Sequence, residues 1–232
     1  MLYSCHHSIG ECCWVKIVSL VSQKGGVGKT TVAMNLAVLA EKRGYATVVF
    51  DLDPQASITK WKDKRGAETP PDVVPAQQGR LKTLLASAQK QGAQLVIIDT
   101  AGSADSAALA AAEVADLILV PARPNGLDLE AVETTVRVAM QHAKRPFYVL
   151  LTQTPSQASI AEEAAEVIEG AGVSVCPIRI GLRLDYRHPT PDGKAAVEWR
   201  PKSVAAREVM HLWDWMCQQL GIADYCETTT AV

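Results

Sequence analysis

The stretch Gln23-Lys24-Gly25-Gly26-Val27-Gly28-Lys29-Thr30-Thr31 decides how the rest of this chain is read. Loops of the pattern G-x-x-x-x-G-K-[ST] cradle phosphates: glycines let successive N–H groups turn inward, a lysine reaches the β and γ phosphates, and a hydroxyl faces Mg²⁺. Gly28, Lys29 and Thr30 supply the last three parts. The first glycine of the pattern falls at Gln23, and Lys24, Gly25 and Gly26 follow it. The apolar run Ile17 to Val21 reads as a strand, while apolar residues at 32, 33, 36, 37 and 40 have the spacing of a helix face between Thr31 and Arg43. A phosphate held between them would sit at a helix N-terminus, where free N–H groups and the helix dipole favour negative charge.

Two more segments end in carboxylates. Thr47 to Phe50 is a short β-branched and aromatic run that leads into Asp51-Leu52-Asp53-Pro54-Gln55. Leu95 to Ile98 is a buried-strand signal followed by Asp99, an acid placed to hold Mg²⁺ through water at a strand's C-terminal end. Thr100-Ala101-Gly102 then makes a tight turn near the γ phosphate.

Lys24 to Thr31 is the K-G-G-V-G-K-T-T sequence of the deviant Walker A ATPases, and from about Val15 to Leu220 the chain resembles the ParA branch of that family. The resemblance implies an α/β P-loop NTPase fold, a mostly parallel twisted sheet with helices on both faces. It implies ATP and Mg²⁺ as cofactors, with Lys24, Gly25, Gly26, Val27, Gly28, Lys29, Thr30 and Thr31 on the nucleotide. By position Asp53 places the attacking water, Thr30 and Asp99 face the metal, and Asp51 is either a metal-side or a structural carboxylate. Lys29 acts on its own nucleotide and Lys24 reaches across to a partner's, so ATP is expected to assemble a homodimer. That dimer is expected to bind DNA nonspecifically and to be released when a ParB-like or other cargo adaptor stimulates hydrolysis. The location implied is cytoplasmic and nucleoid-associated, with no membrane partner.

Charge supplies a candidate DNA surface. The chain has a formal net charge of −2, which argues against a surface built wholly for nucleic acid. Yet Arg179 to Arg207 carries seven Lys/Arg against three acids, a local balance of +4. Such a stretch can bind phosphate backbone through counterion release without reading bases, although a solvated charged loop looks the same in sequence. It also resembles the segment that ParA proteins use on DNA, with Arg183, Arg187 and Lys202 leading and Arg200 behind them.

Length and composition set the frame. At 232 residues, 48% hydrophobic, the chain can bury one sizeable core, and helices alternate with strand candidates at 16–22, 47–51, 95–99, 117–120, 147–151 and 173–178. Residues 15–221 are expected to form a single ATPase domain, 1–14 a disordered or non-native tail and 222–232 a C-terminal tail. The alanine-rich 101–115 predicts a close-packed helix. Cys5, Cys12 and Cys13 crowd His6 and His7 without a C-x-x-C pair, so a structural zinc site is not the favoured reading. Free cysteines beside a nucleotide site point to the cytoplasm.

Residues 120–129, Val-Pro-Ala-Arg-Pro-Asn-Gly-Leu-Asp-Leu, resemble a ParA run at or near the dimer interface, with Asn125 where serine is commoner. The alternative function is a MinD-like membrane-cycling ATPase, which needs a C-terminal amphipathic helix. Val204 to Leu220 has apolar residues at 205, 209, 212, 213, 216 and 220, but the tail after it holds two acids and no Lys or Arg, so core packing is expected. Cluster-bridging relatives such as the nitrogenase iron protein lack a match, because no cysteine follows Asp99 at a suitable place. A helix-turn-helix domain ahead of the P-loop is not expected. Thr152 to Pro155 and Pro177 to Arg183 follow late strands and are candidates for the adenine pocket, with no motif to distinguish them.

Overall fold

The structure, a computed structural model, describes residues 15–102, 105–126, 132 and 145–222. The tail at 1–14 with its cysteines and histidines, most of the 127–144 segment and the residues from 223 onward therefore lie outside the description.

Among the described residues seven strands form one sheet: β1 Lys16–Leu20, β2 Thr47–Asp51, β3 Asp72–Pro75, β4 Leu95–Asp99, β5 Leu117–Ala122, β6 Phe147–Thr154 and β7 Ile180–Gly181. Their order is β3-β2-β4-β1-β5-β6-β7, and every pairing is parallel. Parallel sheets need crossovers and are covered on both faces, so their strands read as continuous apolar runs. Among the described residues the helices are α1 Lys29–Lys42, α2 Ser57–Arg65, α3 Leu81–Lys90, α4 Asp105–Val114, α5 Ala158–Gly170, the short turn α6 Ala196–Trp199, and α7 Val204–Leu220.

Strand side chains alternate between two cores, as a period of two requires. Leu20, Val49, Leu95, Ile97 and Leu119 face a core closed by α1, α2, α6 and α7. Phe50, Val96, Ile98, Ile118 and Val120 face another closed by α3, α4 and α5. The alanines of α4 let it lie close: Ala111 and Ala112 are buried, and Ala111 O accepts a 2.8 Å bond from Ser19 Oγ in β1. In α7 the predicted stripe is core, with Val209, Leu212, Trp213 and Met216 buried and the Trp213 ring edge-on to Tyr45 at 5.4 Å.

Two elements differ from expectation. The predicted strand at 173–178 is reduced to a bridge between Val149 and Val175, and Ile180–Gly181 takes the edge position. Pro177 has no N–H to continue the ladder, and the chain re-engages only beyond it. β3 was not anticipated: its two adjacent valines give too short a signal, and as an edge strand it tolerates Pro75 at its end.

Register fixes the site. Asp99 at the end of β4 lies opposite Leu20 on one side and Asp51 on the other. The loops after β1, β2 and β4 therefore leave the sheet side by side at its C-terminal edge.

Candidate nucleotide site

The glycine loop passes straight into α1, whose cap residue Gly28 has φ +92°, a left-handed conformation that glycine adopts without strain. A cleft of about 440 Å³ opens above this helix end. Its floor is Gly25, Gly26, Gly28, Lys29, Thr30 and Thr31, with Asp53, Ser57 and Gly102 on one side. Thr152, Gln153, Ile180, Gly181 and Leu182 form the far wall with Met34, Arg183, Tyr186, Arg187 and Thr190. Both late loops that were candidates for the adenine pocket thus reach the cleft.

Lys29 is buried, and its Nζ donates to Lys24 O at 2.9 Å and to Ser22 O at 3.3 Å. Burial lowers its pKa, opposed by the carboxylates of Asp99 and Asp53, so the cleft floor holds a cation already turned toward its own loop. Lys24 is placed differently: its carbonyl supports Lys29, and its side chain is not among those lining the cleft. Val27 is buried beneath the loop, with its carbonyl accepting from Thr152 Oγ1 at 2.6 Å.

Thr30 Oγ1 donates to Asp99 Oδ2 at 2.7 Å. Asp99 is fully buried and its other oxygen, Oδ1, has no hydrogen-bond partner. Burial pushes its carboxyl up to about 7, with the Thr30 hydroxyl pulling the other way. An orphaned buried carboxylate oxygen beside a P-loop hydroxyl is the donor arrangement that Mg²⁺ takes, so the residues fit that ion.

The two aspartates of the second segment have separate surroundings. Asp51 is buried; its Oδ2 accepts from Thr59 N and Oγ1 at 3.2 and 2.6 Å, and its Oδ1 from Asp53 N at 3.0 Å. It thereby ties the first turn of α2 to the end of β2. Asp53 is half-buried at the cleft side, held by Gln55 N to its Oδ1 at 2.8 Å.

Of the four basic candidates, Arg183 and Arg187 line the cleft and Arg200 and Lys202 do not. Arg183 stands in the cleft wall, where Glu208 of α7 takes its Nε at 2.8 Å and Nη2 at 2.6 Å. The same carboxylate accepts from Gly181 N at 3.1 Å and Tyr186 OH at 2.9 Å. Arg187 lines the cleft beside it. Arg200 and Lys202 gather instead with Arg207 around the start of α7, where Arg200 reaches Asp185 at 3.4 Å and Arg207 donates to Lys202 O. Sequence reasoning missed Glu208, an acid on a helix with no motif around it; Gln153 falls within the late loop named as an adenine-pocket candidate, but its bond to the P-loop was not read, because it depends on β6 and β1 being two strands apart.

Known proteins are similar to this chain in sequence and in fold. The model of the CobQ/CobB/MinD/ParA nucleotide-binding domain matches residues 18–183. The maintenance of carboxysome distribution protein A of Gloeobacter kilaueensis is 33% identical over 196 residues, covering 83% of this chain and 89% of that protein. The chromosome-partitioning ATPase Soj of Thermus thermophilus is 27% identical over 233 residues, covering 85% and 94%. Among solved structures, the septum site-determining protein MinD of Pyrococcus horikoshii, complexed with Mg-ADP, superposes with a TM-score of 0.70 at 18% identity, covering 89% of this chain and 98% of that one. The chain belongs to the CobQ/CobB/MinD/ParA nucleotide-binding family and is a ParA/MinD-type ATPase.

Proposed function

We propose that this protein is an ATP-dependent dimerisation switch that binds DNA without sequence preference and positions a cargo. The observation that carries the reading is the division of labour in the loop: Lys29 is folded into its own site while Lys24, five residues earlier, does not line it. On this reading Lys24 neutralises phosphate charge on a second subunit when that subunit faces the first.

ATP and Mg²⁺ are the cofactors. Lys29 and the amides from Lys24 to Thr31 bind the phosphates, Thr30 and Asp99 hold the metal, Asp51 steadies the metal-side loop through Thr59, and Asp53 orients the water. Mg²⁺ supplies neutralising charge to the phosphates when bound. Catalysis is positioning and electrostatics, and the rate waits on an adaptor of the ParB kind. Similarity to the carboxysome distribution protein makes a protein assembly the first cargo to test, beside plasmid and chromosome.

DNA contact falls first on Arg200 and Lys202, joined by Arg207, because these surround an open surface, whereas Arg183 is engaged by Glu208. Arg183 and Arg187 add charge from the cleft rim. The membrane-cycling alternative is disfavoured by α7, whose apolar face is spent in the core. No helix of the described residues is long and apolar enough to cross a membrane. Co-sedimentation with random duplex DNA and with anionic liposomes, each with ATP and with ADP, tests the reading. DNA pelleting the protein only with ATP supports it; liposomes doing so in place of DNA overturn it.

A further inference from the structure

Gln153 is a glutamine in a glycine's conformation. Its φ is +50°, one of two positive values among the described non-glycine residues, and it sits where the β6–β7 register breaks between Thr152 and Thr154. A left-handed backbone strains a non-glycine residue, and such strain persists where the surroundings over-determine it. The bulge turns the carboxamide back over the P-loop, and Nε2 donates to Gly26 O at 2.6 Å.

That contact meets the loop where it is softest. Gly25 and Gly26 are exposed, and a Cβ built on either would meet nothing within 4 Å, so nothing packs where their side chains would stand. The neighbouring points are held: Lys24 N donates to Ser22 Oγ, Lys24 O binds Lys29 Nζ, and Val27 O binds Thr152 Oγ1. On the opposite side Gly102 presses on the main chain, its absent Cβ falling 2.6 Å from Gly25 N and 2.9 Å from Lys24 C. Gln153 and Gly102 thus grip the two-glycine link from two sides, one by a hydrogen bond and one by lack of room.

We propose that Gln153 is a positioning residue, a strained clamp that sets the course of Lys24 to Gly26 and so aims Lys24 at the partner's nucleotide. The proposal rests on the in-trans role of Lys24 given above. Gln153 touches the loop's main chain and acts through Lys24.

The test uses the full chain with Gln153→Met, which keeps length and loses the donor, and Gln153→Gly, which also removes the strain. Three quantities are read: affinity for a fluorescent ADP analogue, dimerisation with ATP by light scattering, and hydrogen exchange of the loop amides without nucleotide. Losing one amide-to-carbonyl bond predicts a concentration for half-dimerisation about three- to tenfold higher in both variants. Because Gln153 also lines the nucleotide cleft, ADP affinity should fall too, but by a smaller factor than dimerisation, and exchange should quicken in the loop and not across the sheet. Gln153→Gly should melt higher than Gln153→Met while sharing its dimerisation defect. Parent-like dimerisation and loop exchange in Gln153→Met overturn the proposal. So does quickened exchange throughout the sheet, which marks a merely structural residue. A parent protein that fails to dimerise with ATP overturns the switch itself, a result readable apart from either variant.

Discussion

Replacing Arg65 with alanine should loosen α2 and, through it, the hydrolytic loop. The Arg65 guanidinium, 7% exposed, makes two 2.8 Å bonds to the Glu198 carboxylate, a third to Gly193 O at 3.0 Å and a fourth from Nε to Pro70 O at 2.6 Å. Removing one partner of a buried pair costs about 3–5 kcal/mol because the other charge is stranded. Glu198 is 23% exposed and keeps some water, which brings the expectation down to about 2–3 kcal/mol. For a chain of this size that lowers the melting temperature by roughly 4–12 °C.

The pH dependence of this loss has a definite sign. Burial alone would raise the Glu198 carboxyl, but the bonds from Arg65 and the Ala195 amide outweigh it and hold it below 4.5. A depressed carboxylate stabilises the fold above its unfolded pKa, and the contribution fades as pH falls through the folded one. The gap between parent and Arg65→Ala should therefore be full at pH 7 and shrink in acid. Because Asp51 and Thr59 join the start of α2 to the Asp53 loop, adaptor-stimulated ATPase should fall even at temperatures where the variant is folded. Thermal melts at several pH values with parallel ATPase assays read both effects. A variant melting within about 1 °C of the parent, with parent-like turnover, would refute the reasoning.

Asp53→Ala should bind ATP and accumulate as a dimer, since the change removes water positioning and leaves the phosphate cradle; parent-like stimulated hydrolysis would reverse the roles given to Asp51 and Asp53. In the nucleotide-free protein, Asp99 is raised by burial from 3.8 to about 7, so the fold loses stability as pH rises between those values; melting temperature should fall from about pH 4 to about pH 7 and level off above it. Asp99→Asn should flatten that fall. Replacing Arg200 and Lys202 with alanine should flatten the slope of log K against log salt by roughly 0.9 for each phosphate no longer neutralised, for any DNA sequence, while leaving ATP-dependent dimerisation intact; fluorescence anisotropy at several salt concentrations measures it.

What was legible in the sequence was local. The glycine loop, the strand ending in Asp99 and the stripe of α7 each announce themselves within a few turns of chain, because phosphate cradles and amphipathic faces are written in short spacings. β3 escaped because four residues with a terminal proline carry no period, and the 173–178 prediction overran Pro177. The partners of the basic segment were not legible, because sequence counts charge without direction. In the fold Glu208, some twenty-five residues further on, draws Arg183 into the cleft wall while Arg200 and Lys202 stay at the start of α7. Gln153 lay within a late loop named as a candidate, but its bond to the P-loop was not legible, since its partner Gly26 is 127 residues away and its positive φ belongs to the bulge.

Light scattering of the parent and of Lys24→Ala, each with ADP and with ATP and Mg²⁺, tests the central claim most directly. The account predicts a parent that is monomeric with ADP and dimeric with ATP, and a Lys24→Ala protein that binds nucleotide as a monomer yet stays monomeric with ATP. A Lys24→Ala protein that dimerises with ATP like the parent would contradict it.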